Sequence, residues 1–229
     1  MPSRALARPL QLQRPVWSVP ALLRFAAWGA VLTVTLTGLG LALQAGEPTF
    51  DVRGLEAATA VRTDGTLVLA RALTFLADLW FVAAVTALLG GWAWLRVRRL
   101  DLVWLVLAAV GGSLAVTGAV KLLSDRPRPD GGLAGTISSS FPSGHSVRGM
   151  IVYGLIAWFL LRLGSGWLRR LAASAALLLA VATGLSRIWL GVHWPTDVVA
   201  GYVLGATWLV LTLAITRPNR LTPSTSESP

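Results

Sequence analysis

An all-α fold of six membrane-spanning helices is what this sequence predicts, and three observations predict it. Of its 229 residues, 55% are hydrophobic and only 13% are charged, against about 25% charged in soluble domains. The apolar residues arrive in blocks of about 20, the length that crosses a hydrocarbon core as a helix. The arginines punctuate these blocks instead of forming a basic face. The net charge of +10 is therefore a membrane-topology signal, and no nucleic-acid partner is expected. Cysteine is absent, which excludes a disulfide framework and a thiolate metal site.

The segment 1–20 carries Arg4, Arg8 and Arg14 and is expected to be flexible and cytoplasmic, with Trp17 able to lie on the membrane surface. The first apolar block, 21–43, begins as a signal peptide would. It is long enough to span, however, and Leu41 to Glu47 offers no clear small-residue cleavage site, so a retained anchor is expected. Further spans are predicted over 72–95, 102–122, 146–163, 170–188 and 196–216, with the prolines between them or at their ends. Residues 21–216 thus form one membrane domain without internal repeats. The tail 217–229, rich in Ser, Thr and Pro, is expected to be disordered. Trp80, Trp92, Trp94, Trp158, Trp167 and Trp194 fall near span ends, where indoles anchor at the interface.

Orientation follows from the cations. Assigning alternate loops puts twelve on one side, among them Arg24, Arg96, Arg98, Arg99, Arg162, Arg169, Arg170, Arg217 and Arg220, and eight on the other. The positive-inside rule then places both termini in the cytoplasm. Six alternating spans also bring Lys121, His145, Arg187 and His193 to one face, the outer one. Five spans would have divided them.

These residues carry the chemistry. Lys121 is the only lysine, and His145 and His193 are the only histidines. Lys121 and Arg128 flank a loop held extended by Pro127 and Pro129. A lysine offers a point charge and an arginine a planar fork, a pair suited to a phosphoryl group; the same residues also suit a snorkelling helix end and a solvent-facing arginine. Pro142-Ser143-Gly144-His145 leads into the fourth span. It reads as an anion-binding helix N-terminus with His145 beside it, or as an ordinary capping turn. Ser186-Arg187 precedes His193 by a short loop, and Pro195 starts the sixth span with Asp197 in its first turn. A carboxylate there can fix the tautomer of His193, leaving the other ring nitrogen as a nucleophile, or can serve only as a helix-end charge. Arg187, near the outer end of its span, needs an interior or anionic partner.

Taken together, K-x6-R-P, P-S-G-H and S-R-x5-H-x3-D resemble the three signature segments of the type-2 phosphatidic acid phosphatase superfamily, as does the six-span layout. The resemblance implies His193 as the nucleophile forming a phosphohistidine, Asp197 as its orienting partner and His145 as the general acid. It implies Lys121, Arg128, Ser143, Gly144 and Arg187 as the phosphate cradle. Arg126 makes a second Arg-Pro pair at the wrong spacing from Lys121 and is left outside the cradle. Arg148, one turn beyond His145, is placed to reach a second phosphate, a headgroup or an acid. Asp78, read as lying inside the second span, is a functional candidate or the partner of Arg71, Arg148 or Arg187.

The function expected is hydrolysis of a lipid phosphate, with undecaprenyl diphosphate favoured and phosphatidic acid or phosphatidylglycerol phosphate as alternatives. No carboxylate cluster suggests a metal, and no cofactor is expected. Phosphotransfer to a lipid or sugar hydroxyl would use the same site. A vanadate-dependent haloperoxidase resembles this family in its anion site, but the spans argue against it. A transporter would explain the spans and arginines, though not the spacing of Lys121, His145 and His193.

Overall fold

The computed structural model describes residues 19–133, 138–164 and 166–216. The two expected terminal segments, with Arg4, Arg8, Arg14, Trp17, Arg217 and Arg220, fall outside the described residues, save Val19 and Pro20. Eight α-helices and no strand are found among them: α1 Val19–Gln44, α2 Thr49–Ala60, α3 Asp64–Phe75, α4 Leu79–Trp92, α5 Leu100–Ser124, α6 Gly144–Arg162, α7 Trp167–Trp189 and α8 Pro195–Thr216. A wider π-helical turn, Ala93–Val97, continues α4 and ends at Arg98, whose φ of 55° lies in the left-handed region. Six segments are long and apolar enough to cross a membrane: α1, α4 with its π turn, α5, α6, α7 and α8. The protein is a multi-pass, all-α membrane bundle.

The centre of the bundle is α5, α6 and α8. Leu102, Leu105, Val106 and Ala109 of α5 meet Ile151 and Leu155 of α6 and Leu204 and Trp208 of α8, all buried. Large apolar side chains such as Leu22, Val34, Leu88, Leu122, Leu178 and Val210 face outward. In water that surface would be a liability; in lipid it is the expected solvent contact. Helices α6 and α8 approach almost backbone to backbone. A Cβ at Gly201 would stand 2.7 Å from the Ser143 carbonyl oxygen, and one at Gly205 would stand 2.6 Å from Met150 Cβ. Small residues four apart permit that approach in membranes. Here it locks the start of α8, with Asp197, to the start of α6, with Ser143 and His145.

Two departures from the predicted layout matter for the site. Residues 45–71, expected as a loop, contain α2 and most of α3, which are too short and too polar to register as spans. Thr63 caps α3 through a reciprocal bond with Thr66. The second span begins at Leu79, not at 72, because the chain breaks at 76–78, where Asp78 is extended (φ −66°, ψ 152°). No proline or glycine marks this break. It is held by tertiary bonds instead: the Leu76 carbonyl accepts from the Tyr153 hydroxyl at 2.9 Å, and the Ala77 carbonyl accepts from Arg148 Nε at 2.7 Å. Asp78 therefore sits at the mouth of the span and not within it.

Candidate active site

The candidate site lies where the C-terminal ends of α5 and α7 meet the N-terminal ends of α6 and α8. Pro195 opens α8, so His193 falls in the short turn before it, with Asp197 one helical turn on. His193 is 2% exposed, and its Nδ1 lies 3.3 Å from Asp197 Oδ2. The same carboxylate oxygen accepts from the Trp194 backbone N–H at 2.9 Å. On the far edge of the ring, Nε2 lies 3.1 Å from Arg128 Nη1. A carboxylate can only accept and a guanidinium can only donate, so the partners assign the Nδ1–H tautomer, with the lone pair on Nε2. Burial first, then the charges of Arg128, Lys121 and Arg187, push the basicity of His193 well below the ordinary imidazole value. Partners and burial both favour the neutral ring.

His145 has the opposite tautomer. Its Nε2 lies 2.8 Å from Asp78 Oδ1, and its Nδ1 lies 3.2 Å from Arg148 Nη2. Here the proton belongs on Nε2 and the lone pair on Nδ1. The sequence offers two readings for Asp78, a functional candidate or the partner of an arginine; the hydrogen bond made is to His145.

The cations converge around these rings. Lys121 Nζ donates to the Ser139 carbonyl, and Arg128 also donates to the carbonyls of Val192 (2.7 Å) and Ser138 (2.9 Å). Arg187 is 3% exposed and gives Nη1 to Thr74 Oγ1 at 2.5 Å, while its Nε has no partner among the described residues. The hydroxyl of Ser143, fully buried at the start of α6, also has no partner there. Unpaired buried donors are costly. Two of them beside the free N–H groups of a helix N-terminus describe a place shaped for an anion. Gly144 leaves its floor open: a Cβ there would stand 3.0 Å from Arg148 Nη1 and 4.0 Å from Lys121 Cε.

Known proteins agree with this layout. The family model of the PAP2 superfamily matches residues 102–221, more than half of the chain and all three motif segments. The chain belongs to the PAP2 superfamily. Among its relatives is phosphatidylglycerophosphatase B of Bacillus subtilis, 38% identical over 106 residues, which are 44% of this chain and 51% of that protein. The chain thus spans about half the length of that relative. Decaprenylphosphoryl-5-phosphoribose phosphatase of Mycobacterium tuberculosis is 34% identical over 163 residues, covering 62% of this chain and 76% of that protein. The crystal structure of the transmembrane PAP2 type phosphatidylglycerolphosphate phosphatase from Bacillus subtilis superposes with a TM-score of 0.69 at 28% identity, covering 81% of this chain and 96% of that one.

Beneath the PAP2 motif residues lies a layer that the sequence reading did not assemble. Arg126 is 2% exposed and spans two buried carboxylates, Asp197 Oδ1 at 2.6 Å and Asp51 Oδ2 at 2.7 Å. Asp51, in the first turn of α2, also accepts from the backbone N–H (2.8 Å) and the hydroxyl (2.6 Å) of Thr196. Arg126 thus lies directly behind Asp197. The available signal was weak: Pro48 followed by an acid in what could be a first helical turn.

Proposed function

We propose that this chain is a lipid phosphate phosphatase working through a phosphohistidine on His193, with its site on the extracytoplasmic face and its termini in the cytoplasm. The observation that carries the reading is the pairing of a neutral, buried His193, whose lone pair faces Arg128, with an anion cradle of unpaired donors. The membrane unit assigned to this activity is 21–216, the localisation the cell membrane. Lys121, Arg128, Ser143, Gly144 and Arg187 hold the phosphoryl oxygens. His193 Nε2 attacks phosphorus as the bond to the leaving oxygen breaks, and the developing charge falls on cations already in place, often the largest contribution to such catalysis. His145 supplies the leaving oxygen with a proton and then takes one from the water that cleaves the N–P bond. General acid–base help of this kind is worth about 10²–10⁴-fold.

A site at the mouth of the bundle lets an amphiphile keep its chain in the bilayer and present its phosphate. A polyprenyl carrier such as undecaprenyl diphosphate is the favoured substrate, and a relative that carries a decaprenyl group in its name supports that class. The test is phosphate release by the purified chain from undecaprenyl diphosphate, phosphatidic acid and phosphatidylglycerol phosphate, each with and without EDTA. Undecaprenyl diphosphate should give the highest kcat/KM, and EDTA should leave it unchanged because the charge-neutralising groups are protein cations. Loss in EDTA with recovery in magnesium would overturn the metal-independent mechanism, and no release from any of the three would overturn the function.

The state of His193 also fixes a pH dependence. Its basicity is lowered in the fold, so the nucleophile stays neutral as pH falls through about 6.5, where a free imidazole would protonate. Phosphoenzyme formation should therefore persist at pH 5.5. Stability has the other sign: below about 6.5 the unfolded chain binds a proton that the folded one refuses, so His193 contributes a loss of stability as pH falls. Rapid-quench trapping and thermal unfolding across pH 5–8 measure the two.

A further inference from the structure

The break between α3 and α4 touches the candidate catalytic residues repeatedly. Within five residues, Thr74 accepts from Arg187, the Leu76 carbonyl from Tyr153, the Ala77 carbonyl from Arg148, and Asp78 from His145. Asp78 lies outside the three motif segments, and its side chain is 43% exposed while the imidazole it holds is 15% exposed. The two histidines are therefore each held by a carboxylate, on opposite ring nitrogens and in different surroundings. Asp197 is sealed and shared with Arg126; Asp78 is open at the rim.

This opposition has a chemical consequence. With Nε2–H given to Asp78, the nitrogen of His145 left for the reaction is Nδ1. That edge is shared with Arg148, whose Nη1 stands over Gly144 on the floor of the cradle. An imidazolium is needed to protonate a leaving oxygen, and a carboxylate on the far nitrogen both orients that ring and balances its charge.

We infer that Asp78 is the positioning residue for the acid–base histidine, holding His145 through Nε2 so that Nδ1 delivers the proton to the leaving oxygen. The inference rests on the phosphatase reading above. In the first step a monoanionic phosphate ester gives its proton to His145 Nδ1 on binding, in place of the hydrogen bond from Arg148; the His193 Nε2–P bond then forms, the P–O bond breaks and that proton goes to the departing oxygen. In the second, water attacks phosphorus, Nδ1 takes its proton and the N–P bond returns its electron pair to His193. His145 Nε2 keeps its proton throughout, and Asp78 accepts that hydrogen bond unchanged.

The consequence is a dependence on the leaving group. A diacylglycerol alkoxide needs the proton, whereas p-nitrophenolate departs without one. Asp78→Asn should lower kcat/KM for phosphatidic acid by roughly 10–100-fold, a share of what general acid catalysis is worth, and that for p-nitrophenyl phosphate by less than about 5-fold. The ratio kcat/KM is the right measure because it stops at leaving-group departure and excludes the later hydrolysis. Asp78→Glu should recover most of the phosphatidic acid activity. In a His145→Ala background, Asp78→Asn should cost nothing further, because its effect runs through that ring. Equal losses on both substrates, no loss on phosphatidic acid, or full additivity with His145→Ala would each overturn the inference. Absence of phosphate release by the wild type from both substrates and from undecaprenyl diphosphate would instead count against the phosphatase reading itself.

Discussion

His193→Ala is expected to lower turnover by roughly 10⁴-fold or more, the scale on which removal of a nucleophile acts, and to eliminate the covalent intermediate. Lys121, Arg128 and Arg187 would still surround the phosphate, so binding should outlast the loss of chemistry. The expected split is a collapse of kcat with little change in the affinity for inorganic phosphate. Labelled lipid phosphate, quenched within one turnover, should leave acid-labile, base-stable label on the wild type and none on the variant. The burial of His193 makes a folding control necessary. His193→Gln keeps a polar side chain of similar length that Asp197 and Arg128 can partner, and it should fold like the wild type while carrying no label. Label of normal amount on either variant would remove His193 from its assigned role.

The spans and the motif residues were legible because both are local signals. A run of 20 apolar residues is read within itself, and K-x6-R-P, P-S-G-H and S-R-x5-H-x3-D each place their members by short-range geometry. Alternation of the spans then did the long-range work, bringing Lys121, His145, Arg187 and His193 to one face without any pairwise information. What was not legible depends on contacts between distant segments. Asp51 and Arg126 are 75 residues apart and Asp78 and His145 are 67 apart. No periodicity links them. The break at 76–78 is of the same kind: the apolar pattern runs through it, and the side chains of Arg148 and Tyr153 arriving from α6 take up carbonyls that the non-helical backbone leaves free. Spacing from Lys121 tests for contact with the phosphate and cannot test for the contact of Arg126 with Asp197.

Arg126→Met should be the most destabilising single change in the site. The guanidinium is buried between two carboxylates that are themselves 0% exposed, and it also donates to Thr196 Oγ1 at 2.9 Å and lies over the Trp194 ring at 5.7 Å. Methionine fills much of the volume but leaves Asp51 and Asp197 facing each other without a counter-charge. Breaking a buried pair by removing one partner costs about 3–5 kcal/mol, which for a chain of this size corresponds to a Tm lower by roughly 10 °C. Activity should fall further than stability requires, because Asp197 then loses the bond that holds it against His193 Nδ1; a loss of roughly 100-fold in kcat is expected, on the scale of a misplaced catalytic group. Arg126→Lys separates the two effects. A lysine keeps the charge but has no planar fork to bridge two carboxylates at once, so most of the stability should return while kcat stays depressed. Adding Asp51→Asn to Arg126→Met removes the repulsion without restoring the bridge, and the pair should be less destabilised than the sum of the single changes. Thermal unfolding in detergent and lipid phosphate turnover, measured on the same preparations, distinguish these outcomes. A wild-type Tm and kcat in Arg126→Met would mean that Asp197 is held by the backbone N–H of Trp194 alone, and that the layer beneath the motif residues has no part in positioning them.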